Sequence, residues 1–352
     1  MCNIAGYVGD RPAAPILMEL IRKQEGLAGG FYTGIATIHN GKIHYAKLTG
    51  DLDCLLSFTE AAKLPGNIGI IHSRSNSGGG DAYAHPFVGG VHGAVRTAYI
   101  ANGSTGRFAD RLKQSAVIAQ QLLAQGYEMP SRTTVPNHRY PTLSDGSVVH
   151  MSDLMCQLIT AKTDEGLSPD RAMAEAFCRL PSEIVGLLLS LDQPDCIAWA
   201  RVNFPLSVAF APHGAYLSST PMAFPADAGS AQWMPALTAG RVYRDRFTLA
   251  PIVGFPAKVA QTDVGTLARG YALAEKMLCA EISCGQLRKA LSELMDTDDL
   301  RCGLQFCYEI LDAFAKEGRL QQRVLQVEGT AQGLTAPKFV YKLKGKKDET
   351  AV

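Results

Sequence analysis

The sequence has almost no charge imbalance: over 352 residues, 34 Lys and Arg stand against 33 Asp and Glu. That balance gives no electrostatic reason to expect nucleic acid, an anionic membrane surface or a strongly charged partner. No run approaches the roughly 18 apolar residues of a membrane span. The amino terminus also lacks the basic stretch followed by a long apolar one that marks a secretory leader, so the sequence reads as cytoplasmic. No repeat recurs at a fixed period. A disulfide framework is missing too: nine cysteines, an odd count spread over a long chain, fit reduced thiols better. Cys279 and Cys284, then Cys302 and Cys307, repeat a C-x4-C spacing. Structural zinc uses tighter pairs and both stretches read as helical, so buried core thiols are expected there and no metal or cofactor.

What is present is a chain long enough for one large domain and a smaller one. Apolar residues at Ile16, Leu17, Leu20 and Ile21 predict a helix over 14–25. The texture of 31–48 is β, with Asn40-Gly41 as a hairpin turn. Ser57-x-x-Glu60 reads as a capping box opening a short helix that Pro65-Gly66 closes. A brief strand over 67–71 should deliver a polar loop, His72 to Asp81, containing three consecutive glycines. A strand over 97–101 should end in a turn at Asn102-Gly103, followed by a helix over 115–125 and an irregular connection over 130–150. Ser152 or Asp153 is expected to cap a helix, and another covers 170–179. Strands are expected at 187–191, 196–200, 206–210, 215–219 and 241–249. Antiparallel strands with helices inserted in groups give an α+β layout. Beyond Pro256, helices over 264–277, 286–295 and 304–317 precede two strands over 323–327 and 338–343. That order suggests a small winged-helix-like module, with a disordered tail over 344–352.

The chemistry starts at Cys2. If Met1 is removed, one residue carries both a thiol and an α-amine, whose ordinary pKa of about 7.7–8.0 lies near neutrality, so it can act as nucleophile and base. Alone, a cysteine at position two is commonly just a trimmed residue. Here it opens Cys2-Asn3-Ile4-Ala5-Gly6, followed by Gly69-Ile70-Ile71-His72-Ser73-Arg74, then Ala84-His85-Pro86, then Asn102-Gly103. In order and spacing these motifs resemble the class II glutamine amidotransferases over about residues 2–250. The resemblance implies a four-layer αββα amino-terminal-nucleophile hydrolase sandwich of two antiparallel sheets in a domain over 1–254, with the winged-helix-like module over 255–352.

It also implies roles. Cys2 attacks the side-chain amide of glutamine. The Asn102 side chain and the Gly103 N–H form the oxyanion hole, where losing one donor costs on the order of 3 kcal/mol of barrier. The Arg74 guanidinium suits the substrate α-carboxylate bidentately, and Asp153 is the candidate for its α-amine. His72 and His85 are read as structural, since this nucleophile does not require a separate imidazole.

The pattern departs from the family at Asn3, Ser75 and Ala101. Asp153 also fits the apolar register better at the position of the following family glutamate, which weakens its claim. Ser77-Gly78-Gly79-Gly80-Asp81 imitates an ATP-pyrophosphate loop but lacks the final serine and the helix that should follow. The length beyond residue 250 is too short for a sugar-isomerase, phosphoribosyltransferase or asparagine-synthetase acceptor domain. Ammonia is therefore expected to go to a separate synthase subunit, with a homo-oligomer the other partner considered. Two alternatives stand beside this: an amidohydrolase of the same fold acting on another small amide, and a ligand sensor whose carboxy-terminal module binds protein rather than nucleic acid.

Overall fold

The computed structural model describes residues 2–295 and 297–345. Strand β1 (Asn3–Gly9) leads into α1 (Ala13–Arg22), whose Leu17, Leu20 and Ile21 are buried. After the single turn α2 (Glu25–Ala28), β2 (Tyr32–His39) and β3 (Lys42–Thr49) form the expected hairpin, with Asn40 and Gly41 at φ 47° and 69°. Two residues at positive φ give the turn a twist that matches the strands. Then come α3 (Leu52–Phe58), β4 (Ile68–Arg74), β5 (Phe87–Gly89), β6 (Thr97–Ser104) and α4 (Leu112–Ala124). An irregular connection reaches α5 (Met151–Asp164) and α6 (Pro169–Arg179). Strands β7 (Glu183–Ser190), β8 (Ile197–Arg201), β9 (Ser207–Ala211), β10 (Gly214–Ser218), β11 (Gln232–Trp233), β12 (Thr238–Val242) and β13 (Phe247–Pro251) complete two sheets.

The seven-stranded sheet runs β11-β9-β10-β1-β4-β2-β3 and the six-stranded sheet β13-β12-β8-β7-β6-β5. Between them lies a core containing Ile4, Ile70, Ile100, Leu187 and Trp199. Leu17 and Leu52 of α1 and α3 pack with Tyr7 and Ile71 on the outer face of the first sheet. Leu122, Leu158 and Phe177 of α4 to α6 cover the second sheet. These are the four layers of an αββα sandwich. Each large apolar side chain so buried stabilises by about 1.5–3 kcal/mol. Strand alternation therefore fixes the register, because a one-residue slip would turn the whole set outward.

The remaining described residues form α7 (Val264–Met277), β14 (Ile282–Ser283), α8 (Cys284–Ser292), α9 (Gly303–Lys316), β15 (Leu320–Glu328) and β16 (Thr335–Leu343), with sheet order β14-β16-β15. A capping box between Ser283 and Gln286 starts α8. Leu287, Phe306, Leu311, Phe314 and Tyr341 make a separate core, joined by Leu27 of α2. Asn3 Nδ2 donates to the buried Tyr308 hydroxyl at 3.4 Å, so this core touches the residue after Cys2. Cys284 and Cys307 lie sulfur to sulfur at 3.6 Å in it, whereas Cys279 is exposed and Cys302 meets Arg201. No described helix is long and apolar enough to cross a membrane.

Several local expectations need correction. Ser57 lies inside α3; the cap is Asp51, which accepts from the Cys54 N–H at 3.0 Å, and Glu60 only precedes a single 3-10 turn. His72, Ser73 and Arg74 belong to β4, which pairs on both sides with β1 and β2. These polar side chains are tolerated there because they find partners, such as the Gly30 N–H donating to Ser73 Oγ at 2.7 Å. Asn102 and Gly103 are strand residues opposite Val185 and Ile184, so pairing with β7 overrides their turn propensity. The stretch 241–249 spans a β12–β13 hairpin closed by the Tyr243 N–H to Arg246 carbonyl bond. His150 caps α5 by accepting from the Ser152 N–H at 3.1 Å, which leaves Asp153 inside the first turn. The expected disorder over 344–352 lies mostly outside the described residues.

Candidate active site

Strand pairing assembles the site. In the β1–β4 register Ile4 sits opposite His72 and Asn3 opposite Ser73. With a side-chain period of two, Cys2, Ile4, His72 and Arg74 share the face that meets the second sheet. From that sheet β6 brings Ala101, Asn102 and Gly103. The Cys2 N–H donates to Asn102 Oδ1 at 2.9 Å, and His72 Nε2 bonds the Ala101 carbonyl at 2.9 Å. Asn102 is fully buried, and its Nδ2 has no partner among the described residues. Gly103 is set by close approach, since a Cβ there would fall 2.2 Å from the Glu183 carbonyl oxygen.

The Cys2 thiol is buried, with Ser75 Oγ 3.9 Å from its sulfur. Burial pushes its pKa up, but the hydrogen bond and charge of His72, the amino-terminal charge and the Ser75 backbone outweigh that and bring it down to about 6. The thiolate is therefore the prevailing form above that pH. His85 stacks on His72 at 4.0 Å, and His150 meets His85 edge-on at 5.7 Å. Burial, with the neighbouring imidazoles and the charges of Arg74 and Lys47, holds both His85 and His150 well below the usual histidine range.

Arg74 is 2% exposed. Its Nη1 donates to the Gly78 carbonyl at 2.8 Å and its Nη2 to the Tyr140 hydroxyl at 3.3 Å, and its guanidinium lies 4.7 Å from the Tyr32 ring centre. No described carboxylate pairs with it. The glycine-rich stretch thus serves as a bend: Gly78, Gly79 and Gly80 all take positive φ, and the bend presents the Gly78 carbonyl to Arg74. Asp81 is occupied elsewhere, accepting from the Thr49 N–H and hydroxyl at 2.7 and 2.6 Å.

Cys2, Arg74 and Gly103 line one cavity of about 400 Å³, together with Ser75, Tyr140 and His150 among others. Asn102 sits just behind it on the Cys2 nitrogen. Asp153 is not among the lining residues. Its Oδ2 accepts from the Ser131 N–H and hydroxyl at 2.9 and 2.7 Å, its Oδ1 accepts from Gln157 at 3.1 Å, and burial raises its pKa. No described Asp or Glu lines the cavity. Tyr140 and His150 were not singled out from sequence. Tyr140 lies in an aperiodic stretch that carries no pattern to read, and His150 differs from any other helix-flanking histidine only through its three-dimensional neighbours.

No family model matches the chain. It is similar to glutamine--fructose-6-phosphate aminotransferases (isomerizing): 38% identical over 212 residues to that of Caldanaerobacter subterraneus subsp. tengcongensis, covering 59% of this chain and 30% of the relative. To that of Zymomonas mobilis it is 27% identical over 225 residues, 63% of this chain and 32% of the relative. To that of Pyrococcus horikoshii it is 27% identical over 259 residues, 72% and 38%. The chain thus spans about a third of the length of the curated relatives it matches. Two solved structures share its fold at 15% identity. One is an allosteric regulatory enzyme of purine biosynthesis, with a TM-score of 0.58 over 80% of this chain and 59% of that one. The other is the glutamine phosphoribosylpyrophosphate amidotransferase of B. subtilis, with a TM-score of 0.56 over the same shares. By its motifs and relatives the chain is similar to glutamine amidotransferases, and its two-sheet sandwich is the fold of the glutamine phosphoribosylpyrophosphate amidotransferase.

Proposed function

We propose that the chain hydrolyses the side-chain amide of glutamine through a Cys2 thioester, giving glutamate and ammonia for an acceptor site on a partner. The observation that carries this reading is the placement along one cavity of a buried thiol and a buried arginine without a described carboxylate partner, with an unpartnered amide donor held on the Cys2 nitrogen. Loss of Met1, which lies outside the described residues, makes the Cys2 nitrogen an α-amine held by Asn102 Oδ1. The substrate carboxylate takes the Arg74 guanidinium. As the thiolate attacks, Asn102 Nδ2 and the Gly103 N–H meet the developing oxyanion. Water then hydrolyses the thioester and regenerates Cys2. The domain over 1–254 carries this chemistry, and the module over 255–352, packed on it through Leu27 and Asn3, is assigned to protein contact. With all nine cysteines free, the proposed setting is the reducing cytoplasm.

The test is ammonia release from glutamine with equimolar glutamate, lost in Cys2→Ala. A second reading, hydrolysis of a different small amide, is favoured by one observation: the Asp153 carboxylate is engaged by Ser131 and Gln157, and no described acid lines the cavity. Comparing L-glutamine with its desamino analogue, glutaric monoamide, separates the two. Turnover of the monoamide alone would replace the glutaminase reading with the second.

A further inference from the structure

We propose that a second cavity, on the seam between the sandwich and the carboxy-terminal helices, binds a small phosphate monoester that carries hydroxyl groups. Its volume is about 300 Å³, at the lower end of the range for small-molecule sites. The sandwich contributes Arg107, from the 3-10 turn after β6, Glu183 at the start of β7, and Asn203 after β8; the other wall holds Arg288 of α8, Arg301, and Gly303 at the start of α9. None of these residues lines the active-site cavity. Side-chain alternation at the start of β7 keeps the two apart, sending Ile184 into the active-site cavity and Glu183 to the seam.

The lining is cationic. Three guanidinium groups stand against one carboxylate, and that carboxylate is already engaged: Glu183 Oε1 accepts from the Arg107 N–H at 3.3 Å and its Oε2 from Asn203 Nδ2 at 2.9 Å. Arg107 and Arg301 donate to neutral carbonyls, Arg107 to that of Asp298 and Arg301 to those of Ser292 and Thr297 at 3.2 and 3.1 Å. These bonds orient both side chains without neutralising them. A phosphate oxygen is the acceptor that a guanidinium so placed favours.

Two buried atoms on the seam lack what such a molecule supplies. Arg301 Nε is a donor with no partner among the described groups, and Asn203 Oδ1 is an acceptor with none. Asn203 is 2% exposed, and its Nδ2 bonds to Glu183 and, at 3.1 Å, to the Arg301 carbonyl fix which end of the amide is oxygen. An oxyanion can accept from Arg301, but only a hydroxyl on the same molecule can donate to Asn203. One ligand with both groups therefore satisfies both atoms, each of which is costly to leave buried and unpaired. The start of α9 adds to the anion side. Cys302 at its N-cap provides no side-chain cap, and a Cβ on Gly303 would meet nothing within 4 Å, so the first N–H groups of this 14-residue helix border open space.

The experiment is isothermal titration calorimetry of the full chain with glycerol 3-phosphate and ribose 5-phosphate, with inorganic phosphate as the comparison. At least one ester should bind with one site per chain, about tenfold or more tighter than inorganic phosphate. Arg107→Met should weaken that ester by about tenfold; Arg107 is exposed, so its replacement leaves the cores intact. Arg74→Met, in the active-site cavity, should leave the binding unchanged. Saturable binding of neither ester would overturn the proposal, and so would inorganic phosphate binding as tightly as both. Loss of binding in Arg74→Met with retention in Arg107→Met would place the ester in the active-site cavity and overturn it as well. Calorimetry reads no turnover, so each outcome is independent of the glutamine assignment.

Discussion

Two buried cysteines sit in contrasting regions of the sandwich. Cys2, at the start of β1, lies between the sheets; Cys156, on α5, lies between the helical layer and the second sheet. Burial is the largest influence on both thiols, and it pushes both upward. Cys156 has the Asp153 carboxylate nearby, which adds to the rise, and its sulfur is 3.4 Å from the Phe87 carbonyl. Cys2 has His72 and the amino-terminal charge, which reverse the effect and leave it at about 6. The two shifts differ in direction with the sign of the neighbouring charges and not with depth of burial. One cysteine packs a core, and the other lines the cavity of the proposed active site.

The comparison breaks most clearly if the two thiols are exchanged as targets. Cys2→Ala should lower glutamine turnover by about four orders of magnitude or more, while Cys156→Ala should leave it unchanged; steady-state ammonia release measures both. Next in size is the oxyanion donor. Asn102→Ala should cut kcat by about 100- to 1000-fold, with KM moving far less, because Nδ2 is engaged only as charge develops on the substrate oxygen. A loss confined to KM would assign Asn102 to binding instead.

Arg74→Met should raise KM for glutamine by about tenfold or more, the loss of a charge-assisted bidentate contact. Arg74→Lys should recover only part of it, because an ammonium lacks the guanidinium fork. The smallest effect is on the inert thiol. Cys156→Ala should cost about 1 kcal/mol of stability, read from denaturant midpoints, and should leave the pH profile of Cys2 alkylation where it was.

The fold was legible where local chemistry and tertiary context agree. Asn40-Gly41 announced its hairpin, and the apolar spacing of α7 and α9 located both helices almost to the residue. It was not legible where the context overrides local preference. His72 to Arg74 read as loop because polar residues in a central strand make sense only once their cross-sheet partners are known. Asn102-Gly103 read as a turn for the same reason. In the site, Cys2, Arg74, Asn102 and Gly103 were singled out by chemistry and motif order, and the structure places Cys2, Arg74 and Gly103 along one cavity with Asn102 on the Cys2 nitrogen. Asp153 shows the limit of that method: Ser131, in an aperiodic loop, takes up its carboxylate, and no periodicity marks such a contact. His72 was read as structural because an amino-terminal nucleophile does not require a separate imidazole.

The most direct test of the central claim, that Cys2 is the nucleophile of an amide-cleaving site, is the intact mass of the purified chain before and after a diazo-ketone analogue of glutamine. The account predicts a starting mass lacking Met1 and a single covalent adduct that maps to Cys2 and disappears in Cys2→Ala. A retained Met1, or an adduct that maps to another cysteine, would contradict it.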